Sequence, residues 1–524
     1  MFRVKSFFLF STILILTTFM LTAGAFCQSE LWGDLKPGPY GVGFKTIEKF
    51  DYSRGFRSKT DYFGAPQEGN RARPIQVCFW YPARTGPDDF RLTYGEYVFP
   101  YPEDIRFFDA LTGIQNREVG YLNGIMGDQG VVVSLMSAEM GAVKDAEPHE
   151  GPFPLIIYHQ DLARSYCENA ILCEFLASHG FVVATAHQFG ANTMNPEASY
   201  SDLLMLIRDK EFVLGNLHDL PYIDHDKTGV LGHAHGGLAA LNMRMCNSEI
   251  DAVACLEGWS ISKARSEFAM QSPLNNFMKM AVPLLVLYGE AEFETNLSYL
   301  DSLKYSERRS FSLAAAPPLG FTHYPMFSVL VDETQDSIFT PLRQTYMVLC
   351  DYVLNFFKAE LYADQEAAEF MNNEPIANGI QAALPSAHQY IKQELPPTPE
   401  QFMGIINNNG ASKAEEIYHK FKALDPELVL FPEANLNFIG YGLLRNNNME
   451  DALKIFRLNT EAYPNSANTW DSLAETLEAM GRTEESISCT KKALEKLPTD
   501  EGIDDNFREI IRQGCQQRLE RLGG

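Results

Sequence analysis

Gly229-Val230-Leu231-Gly232-His233-Ala234-His235-Gly236-Gly237-Leu238-Ala239-Ala240 is the stretch from which the rest of the chain is read. Two apolar residues lead into Gly-His-Ala-His-Gly-Gly and then into small helix-forming residues, which is the pattern of a strand turning sharply into a helix. Glycine at 232 and 236 is what such a turn needs. The residue between them is held on strained backbone, and a Cβ on either flank would clash across the turn. A turn of this shape presents its central side chain at the edge of a sheet, and that residue is Ala234. A methyl group can act neither as nucleophile nor as base. The stretch specifies a scaffold for chemistry and lacks the reacting atom.

Strand and helix signals alternate on both sides of it. Arg73 to Pro82 reads as a strand ended by proline, Gly151 to His159 contains a buried strand, Glu168 to His179 reads as an amphipathic helix ended by Gly180, and Phe181 to Ala186 is the next strand. Beyond the turn, Ala252 to Leu256 runs to Glu257-Gly258-Trp259, and Val282 to Tyr288 runs to Gly289-Glu290-Ala291-Glu292. Gly320-Phe321-Thr322-His323 is a loop before a long helix that closes the domain near Leu361. This order predicts an α/β fold with a doubly wound, mostly parallel sheet.

The chain has 524 residues, 45% of them hydrophobic and 21% charged, so it is globular and long enough for more than one domain. A net charge of -25 gives no basic footprint for nucleic acid and predicts repulsion from anionic membrane surfaces. Residues 1–25 combine Arg3 and Lys5, an apolar run from Phe7 to Leu21 and Ala23-Gly24-Ala25, which reads as a signal peptide and an exported protein, periplasmic or extracellular. A lipid anchor on Cys27 is disfavoured because bulky Phe26 precedes it. No later stretch is long and apolar enough to span a bilayer, so an integral membrane protein is not expected. The nine cysteines have no metal-finger spacing, and Cys167 and Cys173 are close enough in sequence to pair.

Residues 26–365 form the α/β domain in this reading, 366–410 a connector with Pro385 and Pro396-Pro397-Thr398-Pro399, and 411–524 an all-α array. Asn435 to Pro464 superposes on Thr469 to Pro498 at an offset of 34 residues: Leu436 falls on Trp470, Leu443 on Leu477, Leu453 on Ile487 and Ala452 on Ser486. Ser412 to Leu424 supplies part of a preceding unit and Asn506 to Leu522 a capping helix. The period and the closing prolines resemble the tetratricopeptide repeat, which implies a protein partner held by this region.

From Gly38 to Leu361 the chain resembles the platelet-activating-factor acetylhydrolase and dienelactone hydrolase branch of the α/β hydrolases. The resemblance rests on Trp80-Tyr81-Pro82-Ala83, on Phe153 to Tyr158, on Leu176 to Val183, and on the turn formed by Gly232, His233, Ala234, His235 and Gly236. It implies an esterase scaffold whose nucleophile serine falls on Ala234, with Glu257 as acid, His323 as base and Glu292 as a second acid candidate. It also implies an oxyanion loop at His159-Gln160-Asp161, where the family has a Ser-His-Gly-like turn. An ionised Asp161 there would put negative charge where negative charge must develop.

With nucleophile and oxyanion loop both altered, the expectation is a hydrolase-like pseudoenzyme that keeps its pocket for a small ester or lipid ligand. The alternative is an active hydrolase of carboxylic esters or lipids, using another nucleophile or a metal-bound water. His159, His187, His233, His235 and His323 all fall near predicted strand ends with Glu257, but strand-end proximity does not deliver ligand geometry, and no metal or other cofactor is expected.

Overall fold

The computed structural model describes residues 29–524 except 57–71, 101, 103–106, 163, 192, 194, 259–261, 290–295, 314–315, 331–332 and 381–385. The signal-like run 1–25, Cys27 and Glu292 lie outside the described residues. The chain forms two compact units, 1–393 and 394–524.

In the first unit the strands are β1 (Gly41–Gly55), β2 (Ala72–Arg84), β3 (Arg91–Thr93), β4 (Glu139–Lys144), β5 (Glu147–Pro148), β6 (Phe153–His159), β7 (Val182–Ala186), β8 (Ile223–His233), β9 (Ala252–Glu257), β10 (Leu284–Gly289), β11 (Arg308–Leu313) and β12 (Ser386–Tyr390). They make one sheet in the order β12-β11-β10-β9-β8-β6-β7-β2-β1-β4-β3, with β5 beside β2. The centre, from β7 through β6 and β8 to β11, is parallel. β2 enters antiparallel to β7, and β12 closes the far edge antiparallel to β11.

Side chains of successive strand residues point to opposite faces, and both faces here are apolar. Ile156, Tyr158, Leu231, Ala254 and Leu287 bury one face with the helices Ala170–Ser178 and Glu333–Leu361. Leu155, Ile157, Val230, Val253 and Val286 bury the other with the helices Tyr200–Leu217 and His235–Cys246. A sheet covered on both sides explains why the central strands read as continuous apolar runs. Arg73 is fully buried on β2 because Asp209 meets its guanidinium through two bonds of 2.7 and 2.6 Å, while the Gly190 and Phe189 carbonyls accept two more of its N–H groups.

The stretch 366–410 carries the helix Gln365–Asn372, the edge strand β12, and the helix Pro399–Asn409. Thr398 caps this last helix in a capping box with Gln401, and Pro399 takes the first helical position, where its missing N–H does no harm. Replacing Thr398 by Ala should cost about 1 kcal/mol, read as a lower urea midpoint for the helical unit.

The second unit continues with helices Ala411–Leu424, Glu433–Arg445, Met449–Ala462, Ala467–Ala479, Thr483–Lys496 and Asp505–Leu522. Glu433 to Ala467 and Met449 to Thr483 are both steps of 34 residues. The same offset relates Asn447 and Gly481, which turn the chain between paired helices at φ 61° and 74°. Leu436, Leu453, Leu473 and Leu477 are buried, with Leu443 and Trp470 packed against them. A Cβ at Gly440 would lie 2.5 Å from the Phe456 ring; one repeat later the same two positions are held by Ala474 and Thr490.

Among the described residues no helix is long and apolar enough to cross a membrane. Cys167 and Cys173 stand as separate buried thiols, the Cys167 sulfur 3.1 Å from the Ser165 hydroxyl.

Candidate functional site

β6 lies between β7 and β8, so the chain leaves β6 toward one side and returns to the other. Connections that part in this way leave a crevice at the carboxyl ends of the strands. β8 ends in that crevice at His233, Ala234 follows at φ 51° and ψ -119°, and the helix His235–Cys246 begins at once. Strand, strained turn and helix at this place are the nucleophile-elbow arrangement of the α/β-hydrolase fold.

Close packing enforces the turn. A Cβ at Gly232 would sit 2.2 Å from the Gly236 carbonyl oxygen. One at Gly236 would sit 2.2 Å from the His159 oxygen and 2.5 Å from that of Gln160. His159 is paired with Gly232 in register, so the loop leaving β6 is pressed directly against the elbow.

Asp161, at the end of that loop, makes the decisive contact. Its Oδ1 accepts the backbone N–H of His235 at 3.3 Å. In this fold the N–H following the nucleophile is one of the two that hold the developing oxyanion. Here a carboxylate occupies it. Burial raises the affinity of Asp161 for a proton, the neighbouring His233 opposes that rise, and Glu168 adds to it.

Glu168 is fully buried, and one of its oxygens accepts three hydrogen bonds: from the Tyr158 hydroxyl at 2.8 Å, from the Asp161 backbone N–H at 2.8 Å and from His233 Nδ1 at 3.0 Å. Its second oxygen, Oε2, has no hydrogen-bond partner among the described residues. Sequence reasoning missed this residue, treating it as the start of a helix. The available signal was a carboxylate inside the run Tyr166-Cys167-Glu168-Asn169-Ala170-Ile171, whose other members are apolar or small and polar.

His323 is buried among the rings of Tyr94, Tyr324 and Phe327. Its backbone N–H donates to the Glu168 carbonyl, and its Nδ1 accepts the N–H of Ile171 at 3.4 Å. An accepting Nδ1 places the proton of the neutral ring on Nε2, which has no hydrogen-bond partner among the described residues. Burial pushes its pKa down to about 3. Glu257 closes β9, the neighbour of the elbow strand, one residue beyond the Leu256 that pairs with His233. The Glu257 side chain and Glu292 lie outside the described residues.

Around this centre His159 contacts Met243 sulfur at 3.3 Å, and burial followed by the Lys210 charge keeps it neutral. Gln160 donates to the Ala186 carbonyl and shares Lys210 with Thr185. Lys210 itself is buried against neutral oxygens, and burial pulls its pKa down to about 7. Burial likewise lowers His187 to about 3 and His235 to about 4. Among the described residues no three His, Cys, Asp or Glu side chains are grouped to hold a metal ion.

No family model matches this chain, and no curated protein sequence matches it. Among solved structures it is similar to a ferulic acid esterase from Streptomyces cinnamoneus, at 18% identity over 67% of this chain and 97% of that chain, with a TM-score of 0.46.

Proposed function

We propose that this chain is an exported, non-catalytic relative of esterases in the platelet-activating-factor acetylhydrolase and dienelactone hydrolase branch. It keeps the elbow crevice as a binding site for a small molecule and uses its tetratricopeptide-like helices to hold a protein partner. The observation that carries the reading is the contact of Asp161 Oδ1 with the His235 N–H beside Ala234. Ester hydrolysis on this scaffold needs a nucleophile at 234 and a free donor at 235. This chain supplies neither.

His323 supports the same reading. In a serine triad the base donates Nδ1–H to a carboxylate and takes the proton of the nucleophile on Nε2. Here Nδ1 is engaged as an acceptor by Ile171.

One contact favours the rival, an active hydrolase with another nucleophile or a metal-bound water: His233, next to Ala234, is oriented by the Glu168 carboxylate. A fluorophosphonate probe separates the two readings, together with p-nitrophenyl acetate turnover with and without chelator. The expected result is no covalent labelling and no turnover above the rate with buffer alone. Labelling, or turnover abolished by chelator, would establish the rival.

A further inference from the structure

The polar groups that line the elbow crevice have the wrong sign for an ester. A carbonyl oxygen needs donors, yet the His235 N–H is taken by Asp161, and Glu168 offers a buried oxygen that has no hydrogen-bond partner among the described residues. Asp161 and Glu168 are neighbours: the Asp161 backbone N–H donates to the Glu168 side chain at 2.8 Å, and the Glu168 charge raises the proton affinity of Asp161. A buried carboxylate oxygen without a donor is costly, and native structures supply one from protein, water or ligand.

Two of the cations in this region are engaged elsewhere. Lys210 donates to Gln160, Thr185 and the Ala186 carbonyl. Arg164 lies over the Tyr121 ring, 3.4 Å from its centroid. His233 Nδ1 donates to the same Glu168 oxygen that Tyr158 and Asp161 also use.

We propose that the crevice beside Ala234 binds a small primary ammonium ion, held between the carboxylates of Glu168 and Asp161. This rests on the reading of the crevice as a non-catalytic binding site and names its ligand class. An ammonium group brings three donors and a positive charge to a place with free acceptor capacity and negative charge. An acyl ester brings only acceptors. A carboxylate or phosphate ligand would be repelled, in line with a chain whose net charge is -25. The ligand is small because only 5% of the surface of Ala234 is exposed.

The test uses the full chain and n-butylammonium chloride as probe, with butan-1-ol, sodium butyrate and magnesium chloride at matched ionic strength as comparisons, read by calorimetry and thermal unfolding. Saturable binding and a raised Tm are expected with butylammonium alone. Asp161→Asn and Glu168→Gln, checked for folding by near-UV circular dichroism, should each weaken binding by about tenfold or more, as loss of one partner of a buried charge pair does. Should both variants fail to fold, nuclear Overhauser contacts between the probe methylenes and the Ala234 methyl in the unaltered protein decide, and their absence overturns the proposal. It is also overturned by no response to butylammonium, by an equal response to butanol or magnesium, or by folded variants that bind as before. Fluorophosphonate labelling would overturn the non-catalytic reading whatever the ammonium result, whereas an unlabelled protein that ignores butylammonium overturns the ligand class alone.

Discussion

Gly236→Ala is expected to destabilise the unit of residues 1–393 by more than about 4 kcal/mol, while Gly237→Ala, one residue on, stays within about 1 kcal/mol of the parent. Both glycines lie in the first turn of the helix His235–Cys246, so helix propensity favours Ala at either position. Their surroundings differ. A methyl at 236 meets two backbone oxygens of the β6 loop at 2.2 and 2.5 Å, and main chain held in a parallel sheet cannot move aside. A methyl at 237 finds the Cys255 Cβ as its nearest neighbour at 3.5 Å, an ordinary contact. Urea unfolding followed by near-UV circular dichroism measures both. A Gly236→Ala protein as stable as the parent would mean that the loop and the elbow are not packed as described, and the account of Asp161 would lose its support with it.

The elbow was legible in the sequence because its constraints are local: glycines on either side of a strained residue, after two apolar positions and before small helix formers. The helical repeats were legible for the same reason, and the 34-residue offset read from leucines reappears in helix starts and in the positive-φ pair Asn447 and Gly481. What the sequence did not disclose is tertiary. Asp161 was visible as an unusual residue, but its hydrogen bond to His235 joins positions 74 apart. Glu168 went unremarked because its partner His233 is 65 residues away and its neighbours in sequence say only that a helix begins. β12 was equally silent. Ser386-Ala387-His388-Gln389-Tyr390 has no apolar alternation, and what places it is backbone pairing to β11 at the sheet edge.

Ala234→Ser alone is expected to leave hydrolysis of p-nitrophenyl acetate within about tenfold of background, although the elbow conformation needed to present a serine is already in place at φ 51°. The obstacle is Asp161. Removing a single oxyanion donor costs about a hundred- to a thousand-fold in rate, and here the donor is present but bonded to a carboxylate whose charge opposes that of the oxyanion. Asp161→Gly alone frees the His235 N–H but provides no attacking atom, so it too should stay at background. The double variant should exceed the product of the single effects by about a hundredfold or more, since neither group works without the other. Robust activity from Ala234→Ser by itself would show that the Asp161 contact does not obstruct the oxyanion site. A folded double variant that remains inactive would move the deficit to the base. His323 gives its Nδ1 to the Ile171 N–H, and burial holds its pKa near 3. To serve a restored serine the ring would have to release Ile171, turn Nδ1 toward an acid and gain enough solvation to carry a proton. Activity in the double variant that rises with pH through the ordinary histidine range would show that it does so, because the base works only once deprotonated.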